Sequence, residues 1–218
     1  KRLSESMQLE LGARLNALQS QMNPHFLYNT LSVISASADQ QEKVERMCSR
    51  LSDMLRYSTV YEEESNSTLE DEVRHTENYL ELMKDRYEEN LIYDIEEAGN
   101  LDRVKVPRVI LQPIVENCFK HGFGENGFPW MIHVAVTASD GHWKIHVRNN
   151  GRPFQERDLK ELNEKVEGFL KGEQKKISGI GLTNTIIRLR LLYEERVEYE
   201  IYTGSDGYTC VVLKGNYK

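Results

Sequence analysis

The chain has 218 residues, of which 39% are hydrophobic and 29% are charged, and its formal net charge at pH 7 is −7. This length suits one or two domains. The sequence contains no run of about 18 apolar residues, so we expect no membrane-spanning segment within it. Its acidic balance argues against broad binding to nucleic acid or an anionic membrane, since both need a basic surface. The three cysteines are far apart and form no CxxC pair, which favours a reducing compartment over a disulfide framework.

The first part of the sequence predicts a helix over residues 3–22. Its apolar residues recur at spacings of 4, 3 and 4, the a/d rhythm of a coiled-coil seam. The seam residues are Leu11, Leu15, Leu18 and Met22. The helical pattern begins within the first few residues, and residue 1 is not a methionine, so we expect a fragment of a longer chain. Because proline removes a backbone donor, we expect a break at Pro24 before helix resumes through Ser37.

A second helix is predicted to follow a turn at 39–42 and to end near Val60. Its apolar stripe consists of Val44, Met47, Leu51, Met54 and Leu55. A lone hairpin of two amphipathic helices cannot bury both stripes, whereas two hairpins packed as a four-helix bundle can. The helical region therefore predicts a homodimer.

A domain boundary is predicted at 61–68, where an acidic run gives way to small polar residues. We therefore divide the chain into a helical domain, 1–66, and a second domain, 67–218.

The second domain alternates helical and strand patterns, which predicts an α+β sandwich. Thr68 with Asp71, or Ser67 with Glu70, can cap its first helix. Residues 151–178 are polar and predict a mobile loop with some helix. The predicted helices are 69–88, 107–121 and 183–193, and the predicted strands are 91–96, 130–138, 142–149, 197–203 and 208–214.

The stretch QMNPHFLYNTL, residues 21–31, sets a histidine directly after Asn-Pro within a helical apolar run. Neutral imidazole is a competent nucleophile near pH 7, so His25 is a candidate reactive residue. The alternative is a histidine whose ring is satisfied within its own helix. Residue type alone leaves both interpretations open.

The stretch VENCFKHG, residues 115–122, sets four polar side chains on one predicted helix. An asparagine oxygen suits Mg²⁺, and a lysine can meet a phosphate. The alternative is the solvated face of an amphipathic helix. The four residues are Glu116, Asn117, Lys120 and His121.

Three glycine-containing stretches suggest loops of different kinds. SGIGLTN, residues 178–184, leads into a predicted helix. Its glycines and the free N–H groups of the first helical turn can approach a phosphate. A loop and helix cap that bind no ligand fit the pattern equally well. HGFGENG, residues 121–127, matches GxGxxG but follows a helix and precedes a strand, the reverse of the dinucleotide-binding context. RNNGRPF, residues 148–154, is by itself a polar turn.

Three histidines lie on two adjacent predicted strands. His142 and His146 alternate with Lys144 and Arg148, which favours a solvated polar face. A metal site that also includes His133 is the lesser alternative, because no third ligand of fixed spacing is evident.

Taken in order, these segments resemble one family, the sensor histidine kinases of the LytS/YesM type with the GHKL (Bergerat) ATP-binding fold. LQSQMNPHFLYNTL is similar to the family's phosphoacceptor motif, LQPIVENCFKHG to its N box and GIGLTNTIIRL to its second glycine box. LSDMLRYS and LEDEVRHTENYLELMKDRY resemble its linking segments. The resemblance runs from near Leu15 through most of the chain. It implies a dimeric helical hairpin followed by an ATP-binding α/β sandwich.

The resemblance also implies roles for single residues. His25 would accept the γ-phosphoryl group of ATP, with Asn29 orienting the imidazole or a water. Glu116 would order a metal-bound water or polarise His25, and Asn117 would bind the Mg²⁺ that bridges the phosphates. The other implied nucleotide-binding residues are Lys120, His121, Asn149, Gly151, Gly179, Gly181, Leu182 and Asn184.

The sequence departs from the family's first glycine box, which usually reads Asp-x-Gly-x-Gly. Asn149 stands where the resemblance implies an aspartate that accepts from the adenine amino group, and Pro153 stands in place of a glycine. Asn149 can accept through its amide oxygen but without charge, so we expect ATP affinity to fall several-fold. Pro153 is expected to stiffen the start of the implied ATP lid, residues 152–178.

The resemblance implies the cytoplasmic catalytic portion of a bacterial cell-membrane sensor kinase, with the membrane spans upstream of this sequence. Such an enzyme autophosphorylates His25 within a homodimer and passes the phosphoryl group to an aspartate of a response-regulator receiver domain. A degenerate kinase that acts as a dimeric nucleotide-binding or conformational signalling module is the alternative that Asn149 and Pro153 suggest. A serine kinase of the anti-sigma type and an ATPase without transfer are further alternatives. We expect no nucleic-acid partner.

Overall fold

The computed structural model divides into two compact units, Lys1–Tyr61 and Glu62–Lys218. The predicted coiled-coil seam over 3–22 lies outside the described residues. In the part of the chain that the structure describes, no helix has the length and apolar character needed to cross a membrane. The residues that the structure describes are 24–59, 66–123, 127–172 and 181–217.

In the described part of the first unit, residues 24–59, two helices are in contact, α1 (Pro24–Ala36) and α2 (Gln41–Thr59). Within the described residues α1 begins at Pro24. The first N–H groups of a helix have no intrahelical partner, so a proline, which has no N–H, costs no helical hydrogen bond at this position. On α2, Met47 and Met54 are fully buried, as the apolar stripe predicts, whereas Leu55 is 36% exposed.

The second unit opens with the short strand β1 (Asn66–Thr68) and helix α3 (Leu69–Tyr87). The N–H of Asp71 donates to the Thr68 hydroxyl at 3.1 Å, and that hydroxyl donates to the Asp71 carboxylate at 2.9 Å. The first of the two predicted caps is therefore the one that forms. The apolar face of α3 is buried as its spacing predicts, at Leu69, Val73, Tyr79, Leu80 and Met83.

A five-stranded sheet in the order β2-β4-β5-β7-β6 forms the second layer of this unit. β2 and β4 are parallel, and the other neighbours are antiparallel. Alternate residues of β4 and β5 are buried and paired across the strands, as in Val134 with Val147. The predicted α+β sandwich is confirmed. The strands are β2 (Leu91–Gly99), β4 (Trp130–Ser139), β5 (His142–Asn149), β6 (Val197–Thr203) and β7 (Thr209–Asn216).

The prediction of a helix from Pro107 is wrong at its beginning. Pro107 ends strand β3 (Lys105–Pro107), which pairs with β1, and helix α4 (Gln112–Asn117) begins five residues later. The cause is a buried carboxylate on α3: Glu72 accepts the N–H groups of residues 109, 110 and 111 at 2.6, 2.7 and 3.0 Å. Val109 is held at φ 56°, a conformation that no α-helix contains.

After α4 the chain continues as a π-helical turn (Cys118–Gly122), and Gly122 ends it as predicted. The segment predicted as a mobile loop with some helix is largely the 15-residue helix α5 (Glu156–Leu170). Helix α6 (Leu182–Tyr193) follows and contacts α5, α4, β3 and β6. These contacts set the ends of α4, α5 and α6 around one cavity, described next.

Candidate nucleotide-binding site

A cavity of about 390 Å³ lies between α4, α5, the end of β5 and the start of α6. Its volume falls in the range of pockets that hold small molecules, about 300–1,000 Å³. Three predicted nucleotide-binding residues line it: Asn117, Asn149 and Leu182. They lie far apart in the sequence and come together because α6 packs against α4, α5 and β6.

Part of the cavity wall is apolar. Ile114, Leu162 and Val211 line it from α4, α5 and β7, and all three side chains are buried. Among these walls, Asn149 is a polar side chain that is only 4% exposed. A flat aromatic ring fits such apolar walls, and the buried amide would meet the ring's edge.

The turn after β5 is fixed by two asparagines. The N–H of Gly151 donates to Asn149 Oδ1 at 3.0 Å. Asn150 accepts the N–H of Met131 at 2.8 Å and donates to the carbonyl of Pro129 at 2.9 Å. The segment RNNGRPF is therefore a turn held by hydrogen bonds on both sides.

Gly151 lies against the end of the π-helical turn. A Cβ at this position would approach the backbone carbon and oxygen of Gly122 to 2.3 Å, so only glycine fits. The N–H of Arg152 donates to the same Gly122 carbonyl at 2.5 Å. This contact joins the segment that carries Asn149 to the segment that carries Asn117.

The beginning of α6 faces the cavity through Leu182 and Thr183. Gly181 precedes it in extended backbone conformation, with open space where a side chain would stand. The first N–H groups of a helix lack intrahelical partners and carry the positive end of the helix dipole, so this end suits a phosphate. Gly179 lies outside the described residues, and Asn184 is half-buried on α6 but does not line the cavity.

Glu116 and Lys120 do not line the cavity. Glu116 accepts a hydrogen bond of 2.7 Å from Gln112 and contacts Lys120 at 3.3 Å, so the three form a row on one face of the helix. The backbone of His121 belongs to the π-helical turn, and its side chain lies outside what the structure describes.

Behind this row lies the buried histidine His75 of α3, which is hydrogen-bonded to Gln112. Burial lowers the pKa of His75 to about 4; the hydrogen bond with Gln112 opposes this shift, and the charge of Arg108 adds to it. His75 is therefore neutral at pH 7.

Helix α5 lies within the implied ATP lid, residues 152–178, but none of its side chains was among the predicted site residues. The face of α5 toward the cavity carries two acidic side chains, Asp158 and Glu161, and one basic side chain, Lys165. Lys165 and Glu161 form an ion pair at 2.5 Å. The signal was present, because Leu159, Leu162 and Val166 recur at helical spacings of 3 and 4. Other lining residues were not predicted either, among them Cys118, Arg152, Phe154 and Thr209.

In the first unit, His25 is exposed on the first turn of α1. The side-chain nitrogen of Asn29, one turn later, lies 3.0 Å from His25 Nδ1 and 3.2 Å from Nε2. Both distances are within hydrogen-bonding range, so this amide orients the ring.

The three strand histidines do not converge on a common site within the described residues. His133 contacts Asp94 on the paired strand β2. Glu96 lies next to this pair, and one side-chain nitrogen or oxygen from each of the three residues lies within 4.8 Å of the other two. His142 contacts Asn216 at 2.6 Å, and His146 is half-buried.

Comparison with known families decides the assignment. Residues 13–91 match the family model described as histidine kinase, and residues 102–214 match the model described as histidine kinase-, DNA gyrase B-, and HSP90-like ATPase. The second match alone covers more than half of the chain. This chain belongs to the histidine kinase family.

Curated relatives of this histidine kinase include two bacterial sensor proteins. Sensor protein LytS of Oceanobacillus iheyensis is 31% identical over 196 residues, which cover 89% of this chain and 33% of that protein. Sensor histidine kinase YesM of Bacillus subtilis is 28% identical over 201 residues, which cover 91% of this chain and 32% of that protein. The chain thus spans about a third of the length of the curated relatives it matches.

Among solved structures, the histidine kinase domain of a blue-light activated histidine kinase from Erythrobacter litoralis aligns with 96% of this chain and 96% of its own. The identity is 14% and the TM-score is 0.49. The family assignment rests on the sequence matches. It identifies the second unit of this histidine kinase as its ATP-binding domain and the cavity as the candidate nucleotide site.

Proposed function

We propose that this chain is the catalytic portion of a sensor histidine kinase. It binds Mg-ATP in the cavity of the second unit, phosphorylates His25 and passes the phosphoryl group to an aspartate of a response-regulator receiver domain. The observation that carries the proposal is the convergence of Asn117, Asn149 and the start of α6 on one cavity of nucleotide size.

The phosphate end of the nucleotide would lie between α4 and the start of α6. There the N–H groups of the first α6 turn would donate to phosphate oxygens, and the absence of a side chain at Gly181 would let the phosphates come close. Arg152 and Lys165 line the same cavity and would offset negative charge. Phosphoryl transfer depends mainly on such positioning and charge neutralisation.

Asn117 suits a magnesium ligand. Its side chain lines the cavity and makes no hydrogen bond with any other described residue, so its amide oxygen is available to a hard cation. Mg²⁺ bound with the nucleotide would supply the neutralisation of phosphate charge that transfer needs.

The nucleophile would be a ring nitrogen of His25. Its lone pair forms the new N–P bond to the γ-phosphorus, the bond from phosphorus to the bridging oxygen breaks, and ADP leaves. The Asn29 amide would hold the imidazole for this attack. Glu116, held between Gln112 and Lys120, would accept a proton or polarise the imidazole.

Dimerisation through the helical hairpin is part of the proposal. Tyr28 is 72% exposed and Leu31 is 51% exposed, and both lie on α1 close to His25. A second hairpin would cover such apolar surface in a four-helix bundle. We further propose that this portion works in the cytoplasm and that a longer protein anchors it in the cell membrane.

The test is labelling with γ-labelled ATP and Mg²⁺, comparing the unmodified chain with His25→Gln. We expect label that is labile in acid and stable in base, and its loss in His25→Gln. The matched control is His142→Gln, an exposed histidine on β5 whose replacement should leave labelling unchanged.

The other outcomes separate the alternatives. Acid-stable label would indicate a serine kinase, and steady phosphate release without labelled protein would indicate an ATPase. Nucleotide binding without label or phosphate release would favour a signalling module. Absence of nucleotide binding would contradict the proposed site itself.

A further inference from the structure

Three side chains that can bind a metal ion meet on the outer face of the sheet, the face opposite to its buried core. The parallel register of β2 and β4 pairs Asp94 with His133, although 39 positions separate them in the sequence. Side chains along a strand alternate between the two faces. Glu96 therefore shares the face of Asp94, whereas the fully buried Val134 lies on the other face.

The three side chains are close enough to share one ion. One nitrogen or oxygen from each of them lies within 4.8 Å of the other two. Two donors bound to one Zn²⁺ at about 2.1 Å lie no more than about 4.2 Å apart, so small side-chain rotations bring all three to the ion. Asp94 and Glu96 are exposed, and exposed side chains change rotamer readily.

This cluster has more negative charge than its described neighbours neutralise. His133 contacts Asp94, whereas Glu96 makes no hydrogen bond or ion pair with any described residue. No lysine or arginine in the described ranges forms an ion pair with either carboxylate. A divalent cation would supply the missing positive charge. Two basic side chains of the same face are paired elsewhere on the sheet, Arg148 with Asp206 and Lys214 with Glu198 and Glu200.

A second, independent observation comes from His146 on β5. It pairs with Ala135, which also pairs with Glu96, so only this small residue separates His146 from the cluster. Nε2 of His146 is shielded from solvent and has no hydrogen-bond partner among the residues that the structure describes. Because buried polar atoms are normally partnered, such a nitrogen indicates a place that an ion or a water molecule completes.

We propose that Asp94, Glu96 and His133 bind a divalent transition-metal ion, and that this ion is Zn²⁺. Zinc accepts imidazole nitrogen together with carboxylate oxygen, and water takes the fourth position where a protein supplies three ligands. Mg²⁺ and Ca²⁺ prefer oxygen ligands alone. None of the three residues lines the nucleotide cavity, so the zinc site is separate from the site of the proposed function.

The ion would link two strands of the sheet. β2 lies at the edge of the sheet and has only β4 beside it. Two of the ligands belong to β2 and the third to β4, so a bound ion holds the edge strand to its neighbour. These ligands come together only in the folded chain, and Zn²⁺ therefore stabilises that state.

The test is calorimetric titration of the full chain with Zn²⁺ in the absence of nucleotide. We expect Glu96→Gln and His133→Gln each to weaken Zn²⁺ binding at least about tenfold. The matched controls are Glu97→Gln, which removes the same charge from the opposite face of β2, and His142→Gln, which removes an exposed histidine from β5. Both controls should leave the affinity unchanged.

Thermal denaturation gives a second readout. Zn²⁺ should raise the melting temperature of the unmodified chain, and Glu96→Gln should lose this increase. Because Glu96 is exposed, its variant should melt at the unmodified temperature when no metal is added, which shows that it folds.

Absence of Zn²⁺ binding would overturn the proposal. Binding that both Glu96→Gln and His133→Gln leave intact would also overturn it, since the ion would then lie elsewhere, for example at the exposed Cys48. Either result leaves the proposed kinase function standing, because the labelling of His25 tests that function separately.

Discussion

Gln112 donates a hydrogen bond of 2.7 Å to the carboxylate of Glu116, one turn later on α4. The other Glu116 oxygen contacts Lys120, and Gln112 is in turn bonded to His75 on α3. The Glu116 carboxylate is therefore held at the outer end of a row of side chains that begins in the core. Glu116 itself lies outside the cavity wall.

The first prediction concerns this row. Gln112→Leu is expected to lower the initial rate of His25 labelling by about tenfold, because Glu116 loses the donor that orients it. The dissociation constant for nucleotide should change little, since neither residue lines the cavity. Glu116→Gln should give a similar loss, and the double variant should lose no more than either single variant. A parallel fall in affinity and rate would contradict a positioning role.

The second prediction concerns the contact of Gly151 with Gly122. Gly151→Ala sets a methyl group 2.3 Å from the Gly122 backbone, so the segments that carry Asn149 and Asn117 must separate. We expect a loss of about 2 kcal/mol in the free energy of unfolding and at least about tenfold weaker nucleotide binding. Urea denaturation and calorimetry measure the two effects. Gly127→Ala, where nothing lies within 4 Å, is the control and should change neither.

The third prediction concerns Glu72, which is fully buried and accepts three backbone N–H groups. Glu72→Gln replaces one acceptor oxygen by a donor that faces those N–H groups. We expect a loss of about 3 kcal/mol in the free energy of unfolding, because buried donors are left unsatisfied. Glu77→Gln removes the same charge from the exposed side of α3 and should change the free energy of unfolding by no more than about 0.5 kcal/mol. Equal effects of the two substitutions would contradict the role assigned to Glu72.

The fourth prediction is a pH dependence from His75, whose pKa falls from 6.5 to about 4 on folding. Between these values the unfolded chain binds more protons than the folded chain, so stability decreases as pH falls from 6.5 toward 4. The full penalty is about 3 kcal/mol. His75→Gln should flatten this part of the curve of unfolding free energy against pH. His146→Gln, at a half-buried histidine, is the control and should flatten this part of the curve much less. An unchanged slope in His75→Gln would contradict the prediction.

Local patterns in the sequence determined most of the secondary structure. The cap at Thr68, the apolar spacing of α3 and the alternation along β4 and β5 all act over a few residues, and each is present in the structure. The residues expected to contact a nucleotide were predicted through the family resemblance, and three of them, Asn117, Asn149 and Leu182, do meet in one cavity. Their roles in binding and transfer stay predictions.

Only the tertiary structure decided where α4 begins and which way Asn149 points. The beginning of α4 depends on Glu72, which lies 37 residues before the first N–H that it binds, so no local pattern could locate it. The Asn149 amide oxygen accepts the N–H of Gly151 and lies beside Gly122, which comes from the segment after α4 rather than from its own turn. Helix and strand periods are short-range properties of the chain, whereas a buried polar group takes its orientation from whichever partners the fold brings to it.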